Sequence, residues 1–100
     1  MNHDSACFHA QQCIEKYLKA VLVSRGTGFG KTHDLLPLLT ECMSGFPLWE
    51  SWQDDVEWLS QYAVLFRYPG ESATREDARR AVRIMRKLRP ELRRALDFAP

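Results

Sequence analysis

With 100 residues, 45% of them hydrophobic, the chain has material for one buried core and too little length for two; disorder and a multidomain plan are both excluded. No apolar run approaches the ~20 residues of a membrane span, and the opening MNHDSA has neither the basic nor the apolar region of a secretory signal, so a cytoplasmic, membrane-free protein is expected. The formal net charge of +1 hides an asymmetry: nine Arg/Lys stand against four Asp/Glu from Arg75 to Asp97, and five against nine from Met1 to Thr74.

The first helix is predicted from about Asp4 to Arg25, ended by Gly26, which takes the left-handed cap without a side-chain clash. Its buried stripe follows Cys7, Gln11, Ile14, Leu18 and Val21, widened by Phe8, Tyr17 and Leu22. Gln11 thus falls on the core face. A buried amide needs partners, so Gln11 either bonds across to another helix or lines a polar cleft.

Gly26-Thr-Gly-Phe-Gly30 is a glycine-rich turn followed by Lys31-Thr32, which imitates the end of a phosphate loop. The GxxxxGK[ST] frame fails, because its first glycine would fall on Arg25, and a helix rather than a strand precedes the turn. The second helix opens near Lys31-Thr-His-Asp-Leu35, capped by Thr32 or Asp34, with Leu35, Leu38, Leu39 and Cys42 facing inward and a stop around Ser44-Gly45-Phe46-Pro47. His33 at that start reads as a cap or surface residue before it reads as a catalyst.

A third helix is predicted over Trp49 to Phe66, buried through Trp52, Val56, Leu59, Ala63 and Phe66. Trp49 and Trp58 fall off that stripe and, if exposed, mark a contact patch. Asp54 and Asp55 are neighbours in sequence, point different ways on a helix and make a poor acid-base pair. Arg67-Tyr-Pro-Gly70 breaks the chain sharply. Arg67 there either bonds the last helical carbonyls or sits at a cleft mouth to hold a phosphate or carboxylate.

The fourth helix starts at a capping box, Thr74-Arg-Glu-Asp77, and runs to about Arg89 on an inner stripe of Ala78, Ala81, Val82, Met85 and Leu88. Pro90 is expected to kink or break it, leaving a last short helical piece over Glu91 to Phe98. Its Arg/Lys side either solvates an outer face or meets an acidic partner or RNA. Cys7, Cys13 and Cys42 form an odd set without CxxC spacing, which reads as buried reduced thiols, and no pairing with His3, His9 or His33 has the spacing of a structural zinc site, so no metal is expected.

Three segments, ACFHAQQCIEKYLKAVLV, KTHDLLPLL, and RYPG followed by EDARRAV, come in an order and spacing that resemble the HEPN domains. The resemblance implies an all-α fold, an antiparallel four- to five-helix up-and-down bundle forming one domain over residues 1–100. HEPN domains usually carry more of the first helix ahead of this segment, so a helix shortened at its N-terminus is expected, with apolar surface that favours dimerisation. The resemblance further implies a homodimer, often encoded beside a minimal nucleotidyltransferase in a two-component, toxin-antitoxin-like unit, with no cofactor.

Catalytic members of the family are metal-independent ribonucleases that use an arginine followed four to six residues later by a histidine. Arg67 matches the arginine, but no histidine follows it anywhere in the chain, so the acid-base role has no obvious owner. The resulting expectation is a non-catalytic HEPN protein binding a nucleotide, RNA or a nucleotidyltransferase partner. Its cleft would be edged by Arg67, Tyr68, Gln11 and Gln12, with Lys16, Lys19 and Lys31 on phosphates. Two alternatives stand beside it. One is a ribonuclease that combines Arg67 with His33 or His9 from another helix, and the other is an interaction module using Trp49, Trp58 and the basic face of the fourth helix.

Overall fold

The computed structural model describes residues 2–64 and 70–97, and within them the chain is all-α. Helix α1 spans His3–Ser24, α2 Leu35–Met43, a 3-10 helix Pro47–Trp52, α3 Gln53–Ser60 and α4 Arg75–Asp97. The long helices α1 and α4 lie against each other; α2 packs on α1, and α3 with the 3-10 helix packs on α2. The expected helical bundle is the observed one.

Local chemistry sets the ends of α1. Asn2 caps its start, accepting a bond from the Ser5 N–H at 3.0 Å. At its far end Thr27 N–H bonds Leu22 O at 2.9 Å and Gly26 N–H bonds Val23 O at 3.0 Å, the paired closure of a Schellman cap. That cap requires a left-handed residue, and Gly26 supplies it with φ +73°. Between these ends the expected stripe is buried, with Cys7, Ile14 and Leu18 fully enclosed. Each such aliphatic side chain contributes about 1.5–3 kcal/mol. Asp34, rather than Thr32, caps α2 through Leu36 N–H at 3.2 Å. Leu35, Leu38, Leu39 and Cys42 face the core as expected.

The third helix departs from its prediction. Residues 47–52 wind as a 3-10 helix, and the α-helix covers only Gln53–Ser60. In a 3-10 helix, side chains three apart eclipse one another, and Phe46, Trp49 and Trp52 have that spacing. Their rings stack in series, Phe46 on Trp49 at 4.2 Å and Trp49 on Trp52 at 4.6 Å, so Trp49 is a buried core residue and not a contact patch. Arg25 lies over the end of this ladder, 5.2 Å from the Phe46 ring centre. Gly45 makes room for it, since a Cβ there would meet the guanidinium at 2.5 Å. Trp58 is half-buried beneath the Arg80 guanidinium, 4.2 Å from its ring centre. After Ser60 the chain turns through residues 61–64, and the expected helical extension to Phe66 ends outside the described residues.

Helix α4 begins at a reciprocal capping box: Asp77 N–H bonds Thr74 Oγ1 at 3.1 Å, and Thr74 N–H bonds an Asp77 oxygen at 2.9 Å. It then runs through Pro90 without a break, which corrects the expected separate last helix. Pro90 faces solvent, so its ring and the carbonyl it frees on exposed Arg86 both lie on the wet side. On the dry side Leu88 and Leu92, one helical turn apart, are fully buried and hold the two halves to one core. Ile84 takes the inner position assigned to Val82 and Met85, which are only partly buried.

Candidate functional site

The only polar side chains buried in the described structure are Gln11 and Glu15, one turn apart on α1. Both face the segment between α1 and α2. Gln11 Nε2–H donates to the His33 carbonyl at 2.8 Å and to Glu15 Oε1 at 3.1 Å, while its own Oε1 accepts from Gln12 Nε2–H at 2.7 Å. Both amide protons and the acceptor are thus occupied, and of the two roles open to Gln11 the structure assigns it bonding across to the next segment.

Glu15 is the centre of this network. Lys19 Nζ donates to its Oε2 at 3.1 Å, and His33 Nδ1 lies 3.1 and 3.2 Å from its two oxygens. Burial pushes the Glu15 carboxyl up. Hydrogen bonds from Gln11, Lys19 and His33, with the Lys19 charge, outweigh burial and hold it below the ordinary glutamate range. An ionised carboxylate only accepts, so Nδ1 of His33 carries its proton and Nε2 faces outward. The His33 side chain is 68% exposed, so its ring lies over the carboxylate with one edge to solvent.

The network shapes a cleft. Lys19, Phe29, Gly30, Lys31, Thr32 and His33 line a recess of about 330 Å³. Lys19 lies 5.4 Å from the Phe29 ring centre, and Phe29 is itself 41% exposed on the glycine-rich turn. Lys31 is exposed and enters no ion pair among the described residues. Two ammonium groups against one carboxylate leave the recess cationic, a setting for a small anion or a phosphate group.

Of the expected site residues, Lys19 and Lys31 line the recess; Gln11 and Gln12 stand behind it, Gln11 on Glu15 and the His33 carbonyl and Gln12 on Gln11. Lys16 is exposed on α1 and is not part of the cleft lining. Arg67 and Tyr68 lie outside the described residues. The far end of α3 is bonded to the start of α2: Ser60 Oγ accepts from Leu35 N–H at 2.8 Å and donates to Asp34 Oδ1 at 3.2 Å. On the other flank of residues 65–69, Ala73 N–H donates to Asp4 Oδ1 of α1 at 2.7 Å. Glu15 is the residue that sequence reasoning missed. Its signal was available as Gln11, Glu15 and Lys19, polar residues in steps of four along a stripe otherwise apolar.

Among the described residues no group of three His, Cys, Asp or Glu side chains could hold a metal ion, and no helix is long and apolar enough to cross a membrane. Cys7, Cys13 and Cys42 form no disulfide with one another; Cys7 and Cys42 are buried and Cys13 is half-buried. No curated protein and no solved structure matches the chain. The sequence model of the HEPN domain matches residues 2–95, from the start of α1 to within two residues of the end of α4. The chain belongs to the HEPN domain family.

Proposed function

We propose that this HEPN domain is a non-catalytic binding module that takes a nucleotide or a phosphate of RNA in the cleft between α1 and the α1–α2 segment. The observation that carries the reading is the recess of Lys19, Phe29, Lys31 and His33 fixed by the buried Glu15 carboxylate. Lys31 supplies an uncommitted charge, the exposed Phe29 ring a face for a base, and Lys19 a charge already oriented. Arg67 follows Ser60 by seven residues in the sequence and is the further cation proposed for the same ligand. The family's ribonuclease motif lacks its histidine here, which favours binding over cleavage.

Calorimetric titration with nucleoside mono-, di- and triphosphates tests this reading. Lys31→Ala and Arg67→Ala should each weaken binding about tenfold, the loss of one charge-assisted contact. Unchanged affinity in both variants would place the ligand elsewhere. The same proposal includes a homodimer and a minimal nucleotidyltransferase partner in a toxin-antitoxin-like unit, supported by family membership alone. Sedimentation of the purified chain and co-purification with such a partner check these two points.

A second reading is favoured by one specific observation. His33 is exposed and has its Nδ1 held by a buried carboxylate, the arrangement that orients an imidazole for proton transfer. With Arg67 on the scissile phosphate, His33 would serve as the acid-base group of a metal-independent ribonuclease. Cleavage of structured RNA in chelator, abolished in both His33→Ala and Arg67→Ala, would establish it; no cleavage above those controls rejects it.

A further inference from the structure

The outer face of α4 plays no part in the cleft and carries most of the positive charge of the chain. Its inner side is committed to α1 through Ala78, Ala81, Ile84, Leu88 and Leu92. On the outer side several cations already have partners: Arg79 pairs with Glu76 at 3.4 Å, Arg94 with Glu91 at 2.7 Å, Lys87 with Asp55, and Arg80 lies over Trp58. Arg83, Arg86, Arg89 and Arg93 are exposed and take part in no ion pair among the described residues.

These four guanidinium groups are spread over eleven residues of one helix, about 15 Å at 1.5 Å rise per residue. Over that length a nucleic-acid duplex presents about nine phosphate charges, at one per ~1.7 Å. Pro90 lies exposed among them, and its short ring leaves a recess of about 510 Å³ lined by Arg89, Pro90, Arg93, Arg94 and Asp97. Asp97 is the one acidic residue in that lining, against three arginines.

We infer that the outer face of α4 is a docking surface for the phosphodiester backbone of a nucleic-acid duplex, separate from the cleft. The chemistry of the face selects this occupant. A protein partner needs an apolar centre to its interface, yet the large exposed hydrophobics of the described chain are Val23, Phe29, Leu48 and Val64, none of them on α4. Single strands are held by aromatic platforms that stack bases, and α4 has no aromatic residue. What remains is a row of guanidinium forks, suited to closely spaced phosphates and indifferent to base sequence. The inference does not depend on the cleft reading, because none of its residues lines the cleft.

Fluorescence anisotropy with a labelled duplex of about 20 base pairs, read between about 50 and 200 mM salt, tests the surface. Neutralising about four phosphates predicts that the wild-type chain loses about a hundredfold in affinity across that range. The triple variant Arg83→Gln, Arg86→Gln, Arg93→Gln should bind at least tenfold more weakly at low salt and lose only a few-fold across the range. The corresponding triple lysine variant keeps the charge and should keep the salt slope. Helical circular dichroism of each variant confirms the fold, since these side chains have no partner in it. Three results would overturn the inference: no duplex binding by the wild type at low salt, a glutamine variant with unchanged affinity and slope, or equal or tighter binding to a single strand of the same length. Tighter binding to poly-glutamate than to duplex would reassign the face to an acidic protein partner and overturn it as well.

Discussion

His33 Nδ1 lies within 3.2 Å of both oxygens of Glu15, so an exposed imidazole covers a buried carboxylate across the α1–α2 junction. The junction therefore has two kinds of tether on one acid: the solvent-facing ring of His33 and the enclosed amide of Gln11. Lys19 adds a third from the same helix. Removing the acid and removing one tether should have unequal costs.

Glu15→Gln keeps the shape but leaves the Lys19 ammonium without its anion and brings an amide donor against those of Gln11 and His33. We expect a loss of about 2 kcal/mol in unfolding free energy, the scale for a buried group stripped of partners. His33→Ala should cost less than about 1 kcal/mol, because the ring is mostly in water and its bond is exchanged for one to solvent. Urea denaturation of the two variants and their double mutant measures both costs and the coupling. Equal losses in the two single variants would mean that Glu15 is solvated in solution.

The same acid makes stability depend on pH with a definite sign. Its folded pKa is depressed, so the unfolded chain takes up the proton first as pH falls. The contribution is complete above the unfolded value of about 4.3 and is lost as pH drops through the folded value. The difference in stability between wild type and Glu15→Gln should accordingly shrink as pH falls below about 4.5. A difference that grows in acid would reverse the assigned direction.

Much of this fold was legible because its signals are local. Gly26, the Thr74–Asp77 box and the Cys7–Ile14–Leu18 stripe each act within one or two turns, and the structure places them as read. The departures come from tertiary context. Trp49 breaks a 3.6-residue stripe but keeps a spacing of three with Phe46 and Trp52, a period that becomes meaningful only once the segment winds as a 3-10 helix. Glu15 is not singled out by the sequence, because nothing in its neighbours shows that the chain folds His33 back over it. Of the expected site, Lys19 and Lys31 line the recess, Gln11 and Gln12 belong to the hydrogen-bond network behind it, and Lys16 is in neither.

Pro90 offers a test of how the core overrides a helix breaker. In this position it forfeits one backbone bond in α4 while Leu88 and Leu92 hold the helix together. Pro90→Ala restores the donor toward the Arg86 carbonyl and removes the ring clash, at the cost of a more flexible unfolded chain. The first effect is the larger, so we expect net stabilisation of about 1–2 kcal/mol and a rise in Tm of several degrees. A fall in Tm would show that α4 needs the proline for its shape.

The three thiols should differ in reactivity in the folded chain. Cys42 is buried, its Sγ lies 3.8 Å from Leu18 O, and burial pushes its thiol up to about 11 against the opposing charge of Arg25. At pH 8 about one molecule in a thousand then carries a thiolate there, and that thiolate has no path for a bulky reagent. Cys13 is half-buried; burial raises its thiol as well, and Arg89 pulls the other way. A disulfide reagent added to native protein should therefore label Cys13 first and slowly, while Cys7 and Cys42 react only as the chain opens. Mass mapping of the first labelled site checks the order, and adding urea should bring the other two thiols into reach together because they share one core. Early labelling of Cys42 would mean that α2 separates from α1 before the rest of the bundle unfolds.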